Sequence, residues 1–130
     1  MKLMLVAGEA SGDVHGTAIL KKLKKLVPNL ESFGIGGRGM LGEGLRPYFM
    51  LDTMQSHGIT ELLFHLPRLY RILWLMQDSM EAECPDALIL IDYPGFNLKL
   101  ARQAKKLGIP VIFFSSPQVW VWRSGRIKNI

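Results

Sequence analysis

A single cysteine, no pattern of metal ligands and no long uncharged stretch set the first limits on this chain. Its 130 residues include one cysteine, Cys84, so an internal disulfide is excluded and a reducing compartment is favoured. The 3 histidines do not stand at spacings typical of metal ligands, and we expect neither a metal site nor a cofactor. No stretch of about 18 residues is free of charge, which argues against a membrane-spanning helix. Cys84 precedes a proline, and we expect it to be a small buried residue.

The composition fits one globular domain with an excess of basic residues. Hydrophobic residues make up 48% of the chain, which is ample for a core. The 16 Lys and Arg residues outnumber the 11 Asp and Glu residues, and the excess is concentrated at residues 21–25 and 123–128. This balance is compatible with nucleic acid, anionic lipid or phosphorylated substrates and selects none of them.

Apolar runs alternate with amphipathic segments along the chain. The predicted strands are residues 3–7, 32–35, 48–51, 87–91 and 111–114. The predicted helices are residues 13–26, residues 61–83 with a new helix starting at Pro67, and residues 98–107. This order predicts an α/β fold, a Rossmann-like parallel sheet flanked by helices. Residues 115–123 are expected to form a polar loop, and residues 126–130 to begin an amphipathic helix that is cut short.

The most informative position is Asp92, which directly follows the apolar run at residues 88–91. Such a run predicts a strand buried on both faces. In open α/β sheets, ligands bind in the crevice beyond the carboxyl ends of the strands. Pro94 and Gly95 then predict a turn. Asp92 is therefore the candidate catalytic residue, and a turn or helix-capping aspartate is the alternative.

Two glycine-rich segments follow predicted strands. Residues 8–13 open the first helix, where small residues and unpaired N–H groups suit a phosphate or a sugar oxygen. Ser11 or Asp13 could instead cap that helix. Residues 34–39 match G-x-G-x-x-G literally, but Gly and Pro residues follow within a few positions. A dinucleotide fingerprint needs a firm helix there, so we expect a tightly turned or mobile loop instead.

One side of the helix at residues 67–80 is apolar at helical spacing and should pack on the sheet. That side carries Leu69, Leu73, Met76 and Met80, with Tyr70 and Trp74 flanking it. The opposite side combines arginines with apolar residues, as interfacial helices do. Its members are Arg68, Arg71 and Leu75, joined by Phe64 if the helix continues back through Pro67. We expect this side to contact a membrane; a helix buried all round, or covered by a partner subunit, is the alternative.

Five segments, taken together, indicate a protein family more specifically than any one of them does. In chain order they are residues 7–13 (AGEASGD), 34–37 (GIGG), 58–63 (GITELL), 91–97 (IDYPGFN) and 116–123 (SPQVWVWR). This set closely resembles the N-terminal part of lipid-A-disaccharide synthases, over essentially the whole chain. The resemblance implies an inverting, metal-independent glycosyltransferase of the two-domain GT-B type. It would join UDP-2,3-diacylglucosamine to 2,3-diacylglucosamine 1-phosphate and release UDP in lipid A biosynthesis.

The same resemblance implies a division of labour between two halves. Residues 1–130 would form the N-terminal, acceptor-side Rossmann-like domain, incomplete by itself, and the C-terminal half that binds UDP-sugar would lie outside this chain. We therefore expect a fragment that is inactive alone. The implied partners are the UDP-sugar donor, the acylated glucosamine phosphate acceptor, the cytoplasmic face of the bacterial inner membrane and the missing half. No nucleic acid is expected, and a homo-oligomer is left open.

The resemblance and the strand-end argument agree on Asp92 as the general base, or as the group that orients the acceptor hydroxyl. The residues expected to bind substrate are Glu9, Ser11, Gly12, Asp13, Asn97 and Gln118. The chain departs from the usual family pattern at Gly95, where Asp is usual, and at His57, where Met is usual. Because Gly95 removes a second carboxylate beside Asp92, a two-carboxylate mechanism is not expected.

Two other functions remain open on the residues alone. A nucleotide-binding, flavodoxin-like domain would have the same sheet, and tight binding of NAD or a flavin would support it. A non-catalytic binding module is the second alternative, and it gains weight if the gene ends at Ile130.

Overall fold

The computed structural model describes residues 1–8, 10–51, 66–91, 94–115, 118–123 and 126–129. Within these ranges seven strands form one sheet in the order β3-β2-β1-β4-β5-β6-β7. The strands are β1 (Lys2–Ala7), β2 (Glu31–Gly36), β3 (Arg46–Met50), β4 (Ala87–Ile91), β5 (Val111–Ser115), β6 (Gln118–Arg123) and β7 (Arg126–Asn129). The helices are α1 (Ala10–Leu26), α2 (Arg38–Gly42), α3 (Leu66–Glu83) and α4 (Pro94–Lys106).

The first five strands are parallel, which confirms the Rossmann-like fold. The chain runs outward from β1 through β2 to β3, then returns to place β4 on the other side of β1. The strand order therefore reverses between β1 and β4. In open α/β sheets this switch point opens a crevice at the carboxyl ends of the two strands, where ligands bind.

The core lies around the two central strands. Every residue from Leu3 to Ala7 and from Leu88 to Ile91 is buried. Helix α3 packs on the sheet through Leu73, Met76 and Met80, the buried side expected from its apolar spacing. Ile72 is buried as well and widens that side. Leu69, assigned to the same side, lies outside the described side chains.

The region after β5 corrects two sequence-based expectations. Residues 118–123 form a strand rather than a polar loop, with β6 antiparallel to β5. Residues 126–129 form β7, antiparallel to β6, so the prediction of a helix there is wrong. Alternation of Val and Trp in β6 is a strand pattern, and the Ser-Gly dipeptide at residues 124–125 is a turn signal. The prediction of a loop is wrong because it neglects this two-residue alternation.

Three further expectations need correction. Helix α4 begins at Pro94, four residues before its predicted start, because proline at the first helical position sacrifices no intrahelical hydrogen bond. A short helix, α2, stands where a loop was expected. Cys84 is exposed rather than buried. It follows the end of α3 with φ of 47°, and its Sγ lies 3.2 Å from the Glu81 carbonyl oxygen.

At the amino edge of the sheet, one carboxylate ties the outer strand β3 to its neighbours. Arg46 Nη2 donates to Glu83 Oε1 at 2.6 Å, and the Tyr48 hydroxyl donates to the same carboxylate. Lys2 Nζ lies 3.6 Å from Glu83 Oε1. Burial acts to raise the pKa of Glu83, but the hydrogen bonds from Arg46 and Tyr48 outweigh it and leave this pKa below its ordinary value. This cluster holds β3 in place, at the edge opposite the crevice.

Candidate active site

The first turn of α1 packs directly on the carboxyl ends of β1 and β4. Ala7 and Ile91, the last residues of these strands, are register partners. A Cβ on Gly12 would lie 3.2 Å from Ala7 Cβ and 3.4 Å from Ile91 Cγ2, so glycine permits the close approach. The segment after β1 thus lies at the switch point, beside the end of the strand that precedes Asp92.

The predicted site residues fall into two groups. Asp92 and Glu9 lie outside the described residues, so their roles stay predictions; in the chain, Asp92 directly follows the last residue of β4. Ser11 is exposed in the first turn of α1, and Asn97 is buried in α4. Gln118 begins β6 and pairs with Ser115 at the carboxyl end of β5, but its side chain is outside the described set.

Asp13 makes a set of contacts that the sequence did not reveal. Its Oδ1 accepts the backbone N–H of Gly37 at 2.9 Å and that of Met40 at 3.0 Å. Its Oδ2 accepts the backbone N–H of Gly39 at 3.1 Å. These donors include N–H groups of the first turn of α2, which have no partner within a helix. Asp13 therefore caps α2 from another helix, and its predicted contact with substrate stays a prediction.

Two glycines of the second glycine-rich segment, Gly37 and Gly39, pack closely against α1. A Cβ on Gly37 would lie 2.6 Å from Asp13 Cγ, and a Cβ on Gly39 would lie 2.3 Å from Thr17 Oγ1. From the other side, a Cβ on Gly16 would lie 2.4 Å from Met40 Sδ. The glycines of the G-x-G-x-x-G pattern thus meet different neighbours: Gly39 lies against α1, Gly36 against Met40, and Gly34 against the Leu5 carbonyl of β1. The sequence signal for the contact with α1 is the i, i+4 spacing of Asp13 and Thr17, which places both residues on one side of α1.

The exposed aromatic residues of α3 lie beside α4. Tyr70 and Trp74 are 58% and 67% exposed, and Lys99 Nζ of α4 lies 4.8 Å from the centroid of the Tyr70 ring. Leu98 of α4 is also exposed. Within the described ranges, no helix combines the length and apolar character needed to cross a membrane.

The predicted membrane side of α3 is described only in part. Arg71 is exposed and Leu75 is half-buried. Phe64 and the side chain of Arg68 lie outside the described set. Among the described side chains of α3, the large exposed apolar residues are Tyr70 and Trp74, the two aromatics expected to flank the buried side.

Comparison with known proteins assigns the family. A sequence model of lipid-A-disaccharide synthetase matches residues 3–130. The chain belongs to the lipid-A-disaccharide synthase family. Relatives of this family include the synthase of Geobacter sulfurreducens, 43% identical over 129 residues that cover 99% of this chain and 34% of that protein. The synthase of Nitrosococcus oceani is 44% identical over 126 residues, covering 97% and 33% of the two chains. The chain thus spans about a third of the length of these relatives.

A solved structure supports the fold of this family member. The crystal structure of UDP-N-acetylglucosamine 2-epimerase superposes with a TM-score of 0.59 over 97% of this chain and 35% of that chain. The sequence identity is 17%, so the likeness concerns the fold alone.

Proposed function

We propose that this chain is the N-terminal, acceptor-side part of an inverting GT-B glycosyltransferase. The enzyme makes lipid A disaccharide from UDP-2,3-diacylglucosamine and 2,3-diacylglucosamine 1-phosphate and releases UDP. The family match over residues 3–130 carries the proposal. The switch point between β1 and β4 supports it, because the segments that follow these strands include the predicted site residues.

In the proposed reaction, Asp92 removes the proton from the 6-hydroxyl of the acceptor. The hydroxyl oxygen then forms a bond to the anomeric carbon of the donor, and the bond from that carbon to the UDP oxygen breaks. A carboxylate within hydrogen-bonding distance of the hydroxyl can take this proton as the bond forms. Attack on the face opposite UDP inverts the anomeric configuration.

The acceptor sugar would be held by residues from several strand ends. Glu9, Ser11 and Gly12 follow β1, Asn97 lies in α4 after β4, and Gln118 begins β6. Ser11 is exposed at the start of α1, so a sugar can reach its hydroxyl directly. Asp13, whose carboxylate accepts the N–H groups of Gly37, Gly39 and Met40, is assigned an indirect role.

The donor site is proposed to belong to a C-terminal half beyond these residues, so residues 1–130 alone should give no product. A chimera tests this: residues 1–130 joined to about two thirds of the Geobacter sulfurreducens relative, the part that this chain does not match. The chimera is expected to convert donor and acceptor into disaccharide and UDP in equal amounts, measured by mass spectrometry. A folded chimera that binds both substrates without forming disaccharide would contradict the proposal, as would transfer by residues 1–130 alone.

We also propose that α3, together with Phe64 before it, contacts the inner face of the bacterial inner membrane. The contact would involve Phe64, Arg68, Arg71 and Leu75 and, on the aromatic side of α3, Tyr70 and Trp74. Exposed tryptophan beside arginine is typical of interfacial helices. Arg71→Glu with Trp74→Glu is expected to reduce co-sedimentation with phosphatidylglycerol vesicles by about tenfold or more. Leu26→Glu, at an exposed apolar position of α1, is the control and should change co-sedimentation little. An equal loss of vesicle binding in both variants would contradict the proposed membrane contact through α3.

A further inference from the structure

The Asp13 carboxylate holds the backbone on both sides of Arg38. We propose that Asp13 is a positioning residue that fixes Arg38 at the carboxyl edge of the sheet, where the Arg38 guanidinium binds a phosphate group of the substrate. This inference rests on the proposed transferase function. It assigns to Arg38 a role that the motifs of the sequence did not suggest.

The hydrogen bonds define the arrangement. Gly37 and Gly39, the two chain neighbours of Arg38, both donate their backbone N–H groups to Asp13. Met40 donates a third N–H group to the same carboxylate. Hydrogen bonds to a charged acceptor are stronger than neutral ones. The backbone before and after Arg38 is therefore held to the side chain of Asp13 on α1.

Close packing also holds residues 37–40 against α1. Gly39 approaches Thr17 so closely that a Cβ would lie 2.3 Å from Thr17 Oγ1, and Met40 is fully buried. The Thr17 hydroxyl donates to the Asp13 carbonyl at 2.6 Å, which orients it along α1. The segment at residues 37–40 therefore has little freedom to move relative to the first turns of α1.

The position of Arg38 suits a substrate anion. Arg38 begins α2, directly after the carboxyl end of β2, and its side chain is exposed. Both β2 and the switch-point strands present their carboxyl ends at the same edge of the sheet. The planar guanidinium matches phosphate oxygens in a two-point contact, and a rigid backbone lowers the entropy lost on binding. Phosphate could come from the acceptor monophosphate or the donor diphosphate.

A double-mutant cycle in the chimera tests the inference. Arg38→Ala is expected to raise KM for one substrate by about 10-fold or more, with kcat changed less than threefold, as loss of a charged hydrogen bond in binding predicts. Separate titrations of acceptor and donor identify which phosphate is bound. Asp13→Asn keeps the oxygen that serves Gly37 and Met40 but loses the acceptor for Gly39, and should raise the same KM by about threefold or more. Because Asp13 acts through Arg38, the double variant should resemble Arg38→Ala alone.

The controls separate positioning from general loss of structure. Gly42→Ala, at a position with open space around it, should leave both KM values unchanged. Arg38→Lys should restore part of the lost affinity, since the charge remains. Reduced folding would lower the active fraction and kcat without moving KM. Effects of Asp13→Asn and Arg38→Ala that multiply in the double variant, or an unchanged KM in Arg38→Ala, would overturn the inference.

A second measurement does not depend on transferase activity. In NMR titrations of the chimera with glucosamine 1-phosphate and with UDP, the Arg38 side-chain resonance should shift with one of the two ligands, and the shift should weaken in Asp13→Asn. A shift in a chimera without activity would preserve the inference and reject the proposed reaction. No shift with either ligand would reject the phosphate role of Arg38.

Discussion

Asp92→Ala in the chimera is expected to lower kcat by about 10²-fold or more, the usual contribution of a general base. The acceptor hydroxyl is a weak nucleophile while it keeps its proton. Removing the carboxylate leaves that proton without an acceptor as the new bond forms. KM for the donor should change less than threefold, because the nucleotide is proposed to bind to the other half. The measurement is the initial rate of UDP release with each substrate varied.

Two further variants make this result specific. Asp92→Asn keeps the shape of the side chain and can orient a hydroxyl, but it cannot take its proton. Comparable losses in the Ala and Asn variants identify a base, whereas a nearly active Asn variant identifies an orienting group. Asp86→Asn is the matched control, because Asp86 precedes the same strand at the amino edge, where it accepts the Lys2 N–H at 2.8 Å. Near-normal turnover of Asp92→Ala would remove Asp92 from the chemistry.

Gly34→Ala is expected to cause the largest loss of stability, at least about 3 kcal/mol in the free energy of unfolding. Gly34 has φ of 143°, a conformation that L side chains rarely adopt. A Cβ there would lie 1.9 Å from the Leu5 carbonyl oxygen. β1 cannot give way easily, since it pairs with both β2 and β4. Urea unfolding of residues 1–130, followed by circular dichroism, measures the effect.

Gly42→Ala is the matched control for Gly34→Ala. A Cβ on Gly42 meets nothing within 4 Å, and Gly42 is the last residue of α2. Its substitution should leave the free energy of unfolding unchanged or raise it by up to about 1 kcal/mol, through the lower flexibility of the unfolded chain. If Gly34→Ala and Gly42→Ala have the same stability, the close approach of β2 to the Leu5 carbonyl is wrong.

Local sequence patterns predicted the parallel core well. The strand expected at residues 87–91 is observed with the same bounds, because an uninterrupted apolar run ends at polar and turn residues. The end of α4 follows from Gly108 and Pro110 in the same way. The prediction of a loop at β6 is wrong because the aromatic residues there occupy alternating strand positions rather than loop contacts.

The strand ends that carry the candidate residues were predictable from the sequence, but the contacts made there were not. The sequence placed residues 8–13 and Asp92 after strands that prove to be neighbours at the switch point. It did not predict that Asp13 binds the N–H groups of Gly37 and Met40, because these residues lie 24 and 27 positions away in the chain. Such a contact depends on how two helices pack on the sheet. No local pattern records it.

The anomeric configuration of the product tests the central claim most directly, because a single base and a direct displacement leave only one stereochemical outcome. With an α-linked UDP-sugar donor, the chimera should form a β-linked disaccharide, identified by the coupling constant of its anomeric proton. Retention would require either a second displacement or attack on the face from which UDP departs, and neither is a single displacement from the opposite face. An α-linked product would therefore contradict the account.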